Sequence, residues 1–250
     1  MAKENVSCVY PAKDLTLTGV ESVSREYEHT RISVLTALAD NKCRFVCASA
    51  EAALQLTLPA EALKYHTVTI NQGEPLDLGK LTEKLVHAGY TKCDKVEGPS
   101  QFSVRGSIID IFAVNETRPV RMELWGDDID IMSYFDVESQ RRTDELESLE
   151  ISPAMEVLIG DTQEFISRLE AMGKALRGKR AELARAHLAQ DIDKLRTGVA
   201  LGSTDKYLTA AYGETATIFD YLDPENSIVI FSEYRSCMEK ARAVLSQHAE

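Results

Sequence analysis

The chain has 250 residues, 44% of them hydrophobic and 27% charged, with a formal net charge of −12. That composition belongs to a soluble globular protein with room for two medium domains. It argues against a general DNA-binding surface, whose affinity comes mainly from Lys and Arg neutralising phosphates. Cys8, Cys43, Cys47, Cys93 and Cys237 are odd in number and scattered, with no CxxC pair. Neither a disulfide framework nor a zinc site is expected, and Cys43 and Cys47, flanking Phe45, read as core-filling thiols in a reducing compartment. No apolar stretch approaches the roughly 20 residues that span a bilayer, and no signal-peptide core is present, so a cytoplasmic location without membrane contact is expected.

In chain order, Val6 to Val9 is a short apolar run ending at Tyr10-Pro11. Ser24 then precedes a helical pattern with Tyr27, Ile32, Leu35 and Leu38 near one face and Glu26 and Glu28 in the first turn, where the helix dipole favours acids. Arg44 to Ala48 reads as a buried strand, and Ser49 as the N-cap of a helix running through Leu58 to Pro59. His66 to Ile70 alternates as a strand. Leu76, Leu78, Leu81, Leu85 and Val86 place a helix between Asp77 and Ala88 that Gly89 ends. Lys92 to Val96 is a further short strand.

From Phe102 to Arg142 the polarity alternates with a strand period, and the segment reads as a meander of β-hairpins. Val104, Ile109, Ile111 and Phe112 form one apolar run. Val120, Met122 and Leu124 alternate with Arg121, Glu123 and Trp125, and Ile129, Ile131 and Tyr134 begin a third run. Asn115 to Pro119 and Gly126-Asp127-Asp128 are the turns between them. If Val120, Met122 and Leu124 face a core, Arg121, Glu123 and Trp125 share the opposite face. Ordinary solvated cross-strand charges account for that pattern, and so does a docking surface, since Trp and Arg dominate binding energies. Residues 101–150 hold twelve Asp or Glu against five Arg and no Lys, which favours a partner that brings positive charge.

After Pro153 the chain becomes helical and charged from Phe165 to Leu195, although Gly173 and Gly178 weaken its continuity. Lys174, Arg177, Lys179, Arg180 and Arg185 stand against Glu182 alone, a basic patch readable as a solvated helix face or as a nucleic-acid contact. Ile228 to Phe231 reads as another buried strand, feeding a final helix from Arg235 to Ala249. The expected organisation is α/β plus α+β: a partial α/β domain over 1–65, an α+β unit over 66–153, and a segment over 154–250 that completes the first domain.

Three blocks of the middle segment, VRGSIIDIF, PVRMELWGDDID and YFDVESQRR, closely resemble the segment shared by the bacterial transcription-repair coupling factors (Mfd) and the excinuclease B subunit (UvrB). VYPAKDLTLTGVESVSREYEHTRISVLTAL and FVCASAEAALQLTLP are similar to the coupling factors' N-terminal region. The resemblance implies a discontinuous, degenerate helicase-like α/β domain with an inserted UvrA-binding domain. It also implies an N-terminal piece of a far longer chain that recruits UvrA to stalled RNA polymerase. The family's contact positions fall on Arg105, Arg121, Glu123 and Trp125, with Ser103 where the B subunit carries an Arg. RNA polymerase and DNA would be reached through the parent protein, whose C-terminal domain is expected to cover this face and inhibit it.

No catalysis is expected of the chain itself. A nucleotide motor needs GxxxxGK[ST] and an acid at a strand end for magnesium, and Ser232 in IVIFSEY stands where that acid would be. ATP and magnesium would belong to a separate motor of the parent. GxSxG and HExxH are absent as well. The competing readings are a helicase-like ATPase or DNA-binding repair subunit, and a structural clamp that autoinhibits the parent.

Overall fold

The computed structural model describes residues 7–13, 25–178, 181–199, 201 and 204–249. Strands β1 (Ser7–Tyr10) and β2 (Phe45–Ala48) pair in parallel through the crossover helix α1 (Glu26–Ala39). Glu26 and Glu28 occupy the first turn of α1, and Arg31, Ile32, Val34, Leu35 and Thr36 are buried along it. Ser24, which precedes the expected helix, lies outside the described residues. Tyr27, expected on the apolar face, is exposed instead.

Strand β2 forms where expected, but it is exposed on most of its length, and of the two flanking thiols only Cys43 is buried while Cys47 is open to solvent. In a sheet of two strands, nothing among the described residues covers most of β2. Ser49 caps a helix as its sequence demands, its hydroxyl accepting the Ala52 N–H at 3.1 Å. That helix, α2 (Ala50–Leu54), stops well before Leu58, and Pro59 opens a new one, α3 (Ala60–His66). A proline has no N–H to lose at a helix start, so it serves there better than as a terminator. His66 therefore ends α3, and the strand that follows, β3, is Val68–Asn71.

Helix α4 (Leu78–His87) is capped by Asp77, whose Oδ1 accepts the Lys80 N–H at 3.0 Å. Gly89 ends it with a φ of 89°, a left-handed conformation that suits glycine. A sheet of six strands follows in chain order: β4 (Thr91–Lys92), β5 (Gln101–Arg105), β6 (Ile108–Phe112), β7 (Val120–Trp125), β8 (Asp128–Phe135) and β9 (Arg142–Glu145). The expected strand over 92–96 shrinks to β4, which runs parallel to β5, and every other neighbouring pair is antiparallel. The apolar run from Val104 to Phe112 turns out to be two strands, folded at Gly106-Ser107 with Gly106 at a φ of 62°. The last strand, β10 (Ser148–Ile151), returns to pair antiparallel with β3.

Beyond it lie α5 (Thr162–Ala175), α6 (Ala181–Arg196), α7 (Leu208–Ala211) and α8 (Tyr234–Ala249), with short 3-10 turns at Asp205–Tyr207 and Ile218–Tyr221. The expected long helix breaks at Gly178, whose φ is 100°. Ile228 to Phe231 forms no strand and is exposed, Ile228 by 87%. An apolar, β-branched run needs a neighbour to become a strand, and among the described residues this one pairs with none.

The main core joins the inner faces of β5 to β8 with α4, and continues into Ile32, Leu35, Leu58 and Leu63, then Ile218 and Tyr221. A second core holds α5 against α6 and Tyr207. Hydrogen bonds also tie this last stretch to the main core: Thr57 and Ala216 exchange N–H···O bonds of 2.7 and 3.2 Å, and the Tyr221 hydroxyl donates to the Leu58 carbonyl at 2.9 Å.

Candidate functional site

The outer face of the six-stranded sheet carries two adjacent cross-strand rows. In the first, Ser103, Asp110, Arg121 and Ser133 lie opposite one another on β5, β6, β7 and β8. In the second, two residues along each strand, stand Arg105, Ile108, Glu123 and Ile131. Alternation on β7 is as read from sequence: Val120 and Met122 are buried inward, while Arg121 and Glu123 face out. Sequence could not say how the outward residues meet.

Arg121 meets Arg105 of β5 on Asp110. This carboxylate is 1% exposed and takes a two-pronged contact from Arg121, Nε to Oδ1 at 2.7 Å and Nη2 to Oδ2 at 2.8 Å. Arg105 donates from Nη2 to the same Oδ2 at 2.7 Å. The Arg121 guanidinium also donates to the Gln140 backbone carbonyl at 3.1 Å and to its side-chain Oε1 at 3.0 Å, and lies 4.5 Å over the Phe135 ring. The bonds to Asp110 raise its already high pKa further. Its side chain is 13% exposed, whereas that of Arg105 is 47% exposed.

Gln140 reaches Arg121 because the turn after β8 folds back. Asp136 N–H bonds the Arg141 carbonyl at 2.9 Å, and Gln140 N–H bonds the Asp136 carbonyl at 2.8 Å, with Gln140 at a φ of 58°. Asp136 holds the turn by accepting the Ser139 hydroxyl at 2.7 Å and its N–H at 2.8 Å, which pull its carboxyl below the ordinary value.

Glu123 pairs with Arg142 of β9, both about one-third exposed at 34%. Trp125 ends β7 opposite Asp128 and is 82% exposed, with Gly126 making the turn at a φ of 65°. Ser103 is buried and donates to the Asp94 carbonyl at 3.0 Å. Asp110 and Gln140 are the members of the cluster that sequence reading missed. The available signal was the lone acid inside the apolar strand IIDIF, which needs a cation if it faces away from water.

The basic segment is placed differently. Arg177 Nη1 donates to the Lys174 and Leu176 carbonyls at 2.6 and 2.9 Å. Arg185 donates to Gly173 and Leu176 at 3.0 and 2.7 Å. Both thus satisfy carbonyls left open at the end of α5. Lys174 is exposed, and Lys179 and Arg180 lie outside the described residues. Gly173 to Lys179 spells GxxxxGK, but Arg180 stands at the hydroxyl position, and Gly173 sits inside α5 instead of after a strand. The context of a phosphate-binding loop, strand then loop then helix, is therefore missing here. Among the described residues no cluster of His, Cys, Asp or Glu is arranged to hold a metal, and no helix is long and apolar enough to cross a membrane.

The family model of the UvrB interaction domain matches residues 68–157. Over 249 residues the chain is 29% identical to the transcription-repair-coupling factor of Bacillus subtilis, covering 97% of this chain and 21% of that protein. It is 30% identical over 239 residues to that of Staphylococcus aureus strain MRSA252, covering 92% and 20%. The counterpart in Haemophilus influenzae is 27% identical over 228 residues, covering 90% and 19%. The chain thus spans about a fifth of the length of these relatives. From β3 through Val157 the chain carries a UvrB interaction domain, and as a whole it is homologous to the transcription-repair-coupling factors.

Proposed function

We propose that this chain recruits the repair protein UvrA through the outer face of its six-stranded sheet, acting without chemistry of its own. In the parent protein this would bring UvrA to a stalled RNA polymerase in transcription-coupled excision repair. The observation that carries the reading is the placement of Arg105, Arg121, Glu123 and Trp125 on one face of the matched domain, with Trp125 bare to solvent. A bare Trp at the end of the strand that carries Arg121 has the composition of a binding hot spot. Residues 1–65 and 154–250 would then be the two halves of a helicase-like domain that hosts the binding unit. The Thr57–Ala216 bridge and the Tyr221–Leu58 bond favour that reading. The parent's C-terminal domain would cover the same face until polymerase is engaged.

Calorimetric titration with UvrA tests the proposal. The chain is expected to bind, and Trp125→Ala, which removes an exposed side chain and leaves the fold intact, to lose about 2 kcal/mol. A folded chain that does not bind UvrA would overturn the proposal.

A further inference from the structure

We infer that the four charged and aromatic positions of this face do not act alike: Asp110 is a positioning residue that locks Arg121 into the sheet and presents Arg105 to a carboxylate of the partner. The inference rests on the recruitment reading above. A guanidinium has five N–H donors. Arg121 directs its bonds at Asp110 and Gln140, lies on Phe135 and is nearly buried. A partner would have to break that arrangement to use Arg121. Arg105 instead makes one bond to Asp110 Oδ2 and keeps almost half of its side chain in solvent.

The bidentate contact from Arg121 already engages both oxygens of Asp110. Arg105 is a second cation on a carboxylate whose charge is already balanced, so this pocket keeps one positive charge, and it lies on the arginine that solvent reaches. An arginine held before the partner arrives loses less side-chain freedom on binding, which converts more of the contact energy into affinity. Ser103 contributes by being small. It sits directly across from Asp110 and bonds away to Asp94, leaving the flank of the carboxylate for Arg105 to fold against.

The test is a double-mutant cycle read by calorimetry with UvrA, using the whole chain. Asp110→Asn keeps the side-chain shape and removes the charge, and cooperative thermal unfolding checks that it folds. It is expected to weaken binding about tenfold. Arg105→Ala is expected to cost about tenfold in the parent chain and less than twofold once Asp110 is Asn, while Trp125→Ala costs the same in both backgrounds. A merely structural role for Asp110 would lower stability and leave the Arg105 effect untouched. Binding that is unchanged or tighter in Asp110→Asn, or an Arg105→Ala effect equal in both backgrounds, overturns the inference.

Should Asp110→Asn not fold, Arg105→Lys decides. It keeps the charge but not the planar fork, and is expected to weaken binding about fivefold, whereas wild-type affinity overturns the assignment. Guanidinium NMR needs no partner. Arg105 should give a restrained Nη signal in the parent chain that becomes freely rotating in Asp110→Asn. A mobile Arg105 in the parent overturns the positioning role even if recruitment stands. A restrained Arg105 in a chain that does not bind UvrA removes recruitment alone.

Discussion

Glu156 is fully buried, yet its carboxyl is held below the usual carboxylate value. Burial alone would raise it, and the Lys13 ammonium at 2.7 Å and the Arg31 guanidinium at 2.6 Å overcome that effect. Thr57 adds a hydroxyl bond at 2.8 Å. Breaking a buried pair leaves an uncompensated charge, so Glu156→Gln should cost about 3 kcal/mol in urea unfolding, because Arg31 stays buried. Its neighbour Glu28 behaves in the opposite sense. Burial, then the charges of Asp205 and Glu156, push its pKa from 4.5 to about 7, against the pull of the Glu156 N–H it accepts at 2.7 Å. With the folded pKa above the unfolded one, its stabilising contribution is complete below pH 4.5 and is lost as pH rises through about 7. Glu28→Gln keeps the acceptor and removes the charge. Relative to wild type, that variant should therefore gain about 2 kcal/mol between pH 4.5 and pH 8, a figure that discounts its partial exposure. Neither burial was legible in the sequence, where Glu28 read as a first-turn acid favoured by the helix dipole and Glu156 carried no signal. Their burial depends on packing between segments more than one hundred positions apart.

The elements show which local signals suffice. The cap at Ser49, the start of α4 after Asp77 and the weak point at Gly178 were readable because each is settled within a few residues by its own side chain or its lack of one. The β7 alternation was readable for the same reason. Pairing was not: the single apolar run from Val104 to Phe112 hides a hairpin, because a two-residue turn at Gly106-Ser107 barely interrupts the apolar pattern. Gly89 gives the sharpest test at this scale. It closes α4 with a positive φ, and a Cβ there would strike the Met155 side chain. Gly89→Ala should destabilise by about 2 kcal/mol or more, measured as a lower urea midpoint at unchanged slope.

At the scale of the molecule, hydrophobicity alone misled, since whether an apolar strand is buried depends on what lies beside it. Ile228 and Ile230 are exposed by 87% and 85%. Replacing both with Ser should therefore change the unfolding free energy by less than about 0.5 kcal/mol, against the several kcal/mol that a buried strand would lose. The candidate site was legible as a set of residue types on one strand face. Its hub was not, because Asp110 acquires its meaning only from the register that sets it opposite Arg121. The same register logic governs the domain's attachment. β3 and β10 bring Val68 directly opposite Ile151, so the chain enters and leaves the six-stranded unit across one rung of a ladder, about 5 Å apart. Ends that coincide mean that the whole six-stranded unit adds only one rung's width to the span of the chain around it, although its core is shared with that chain.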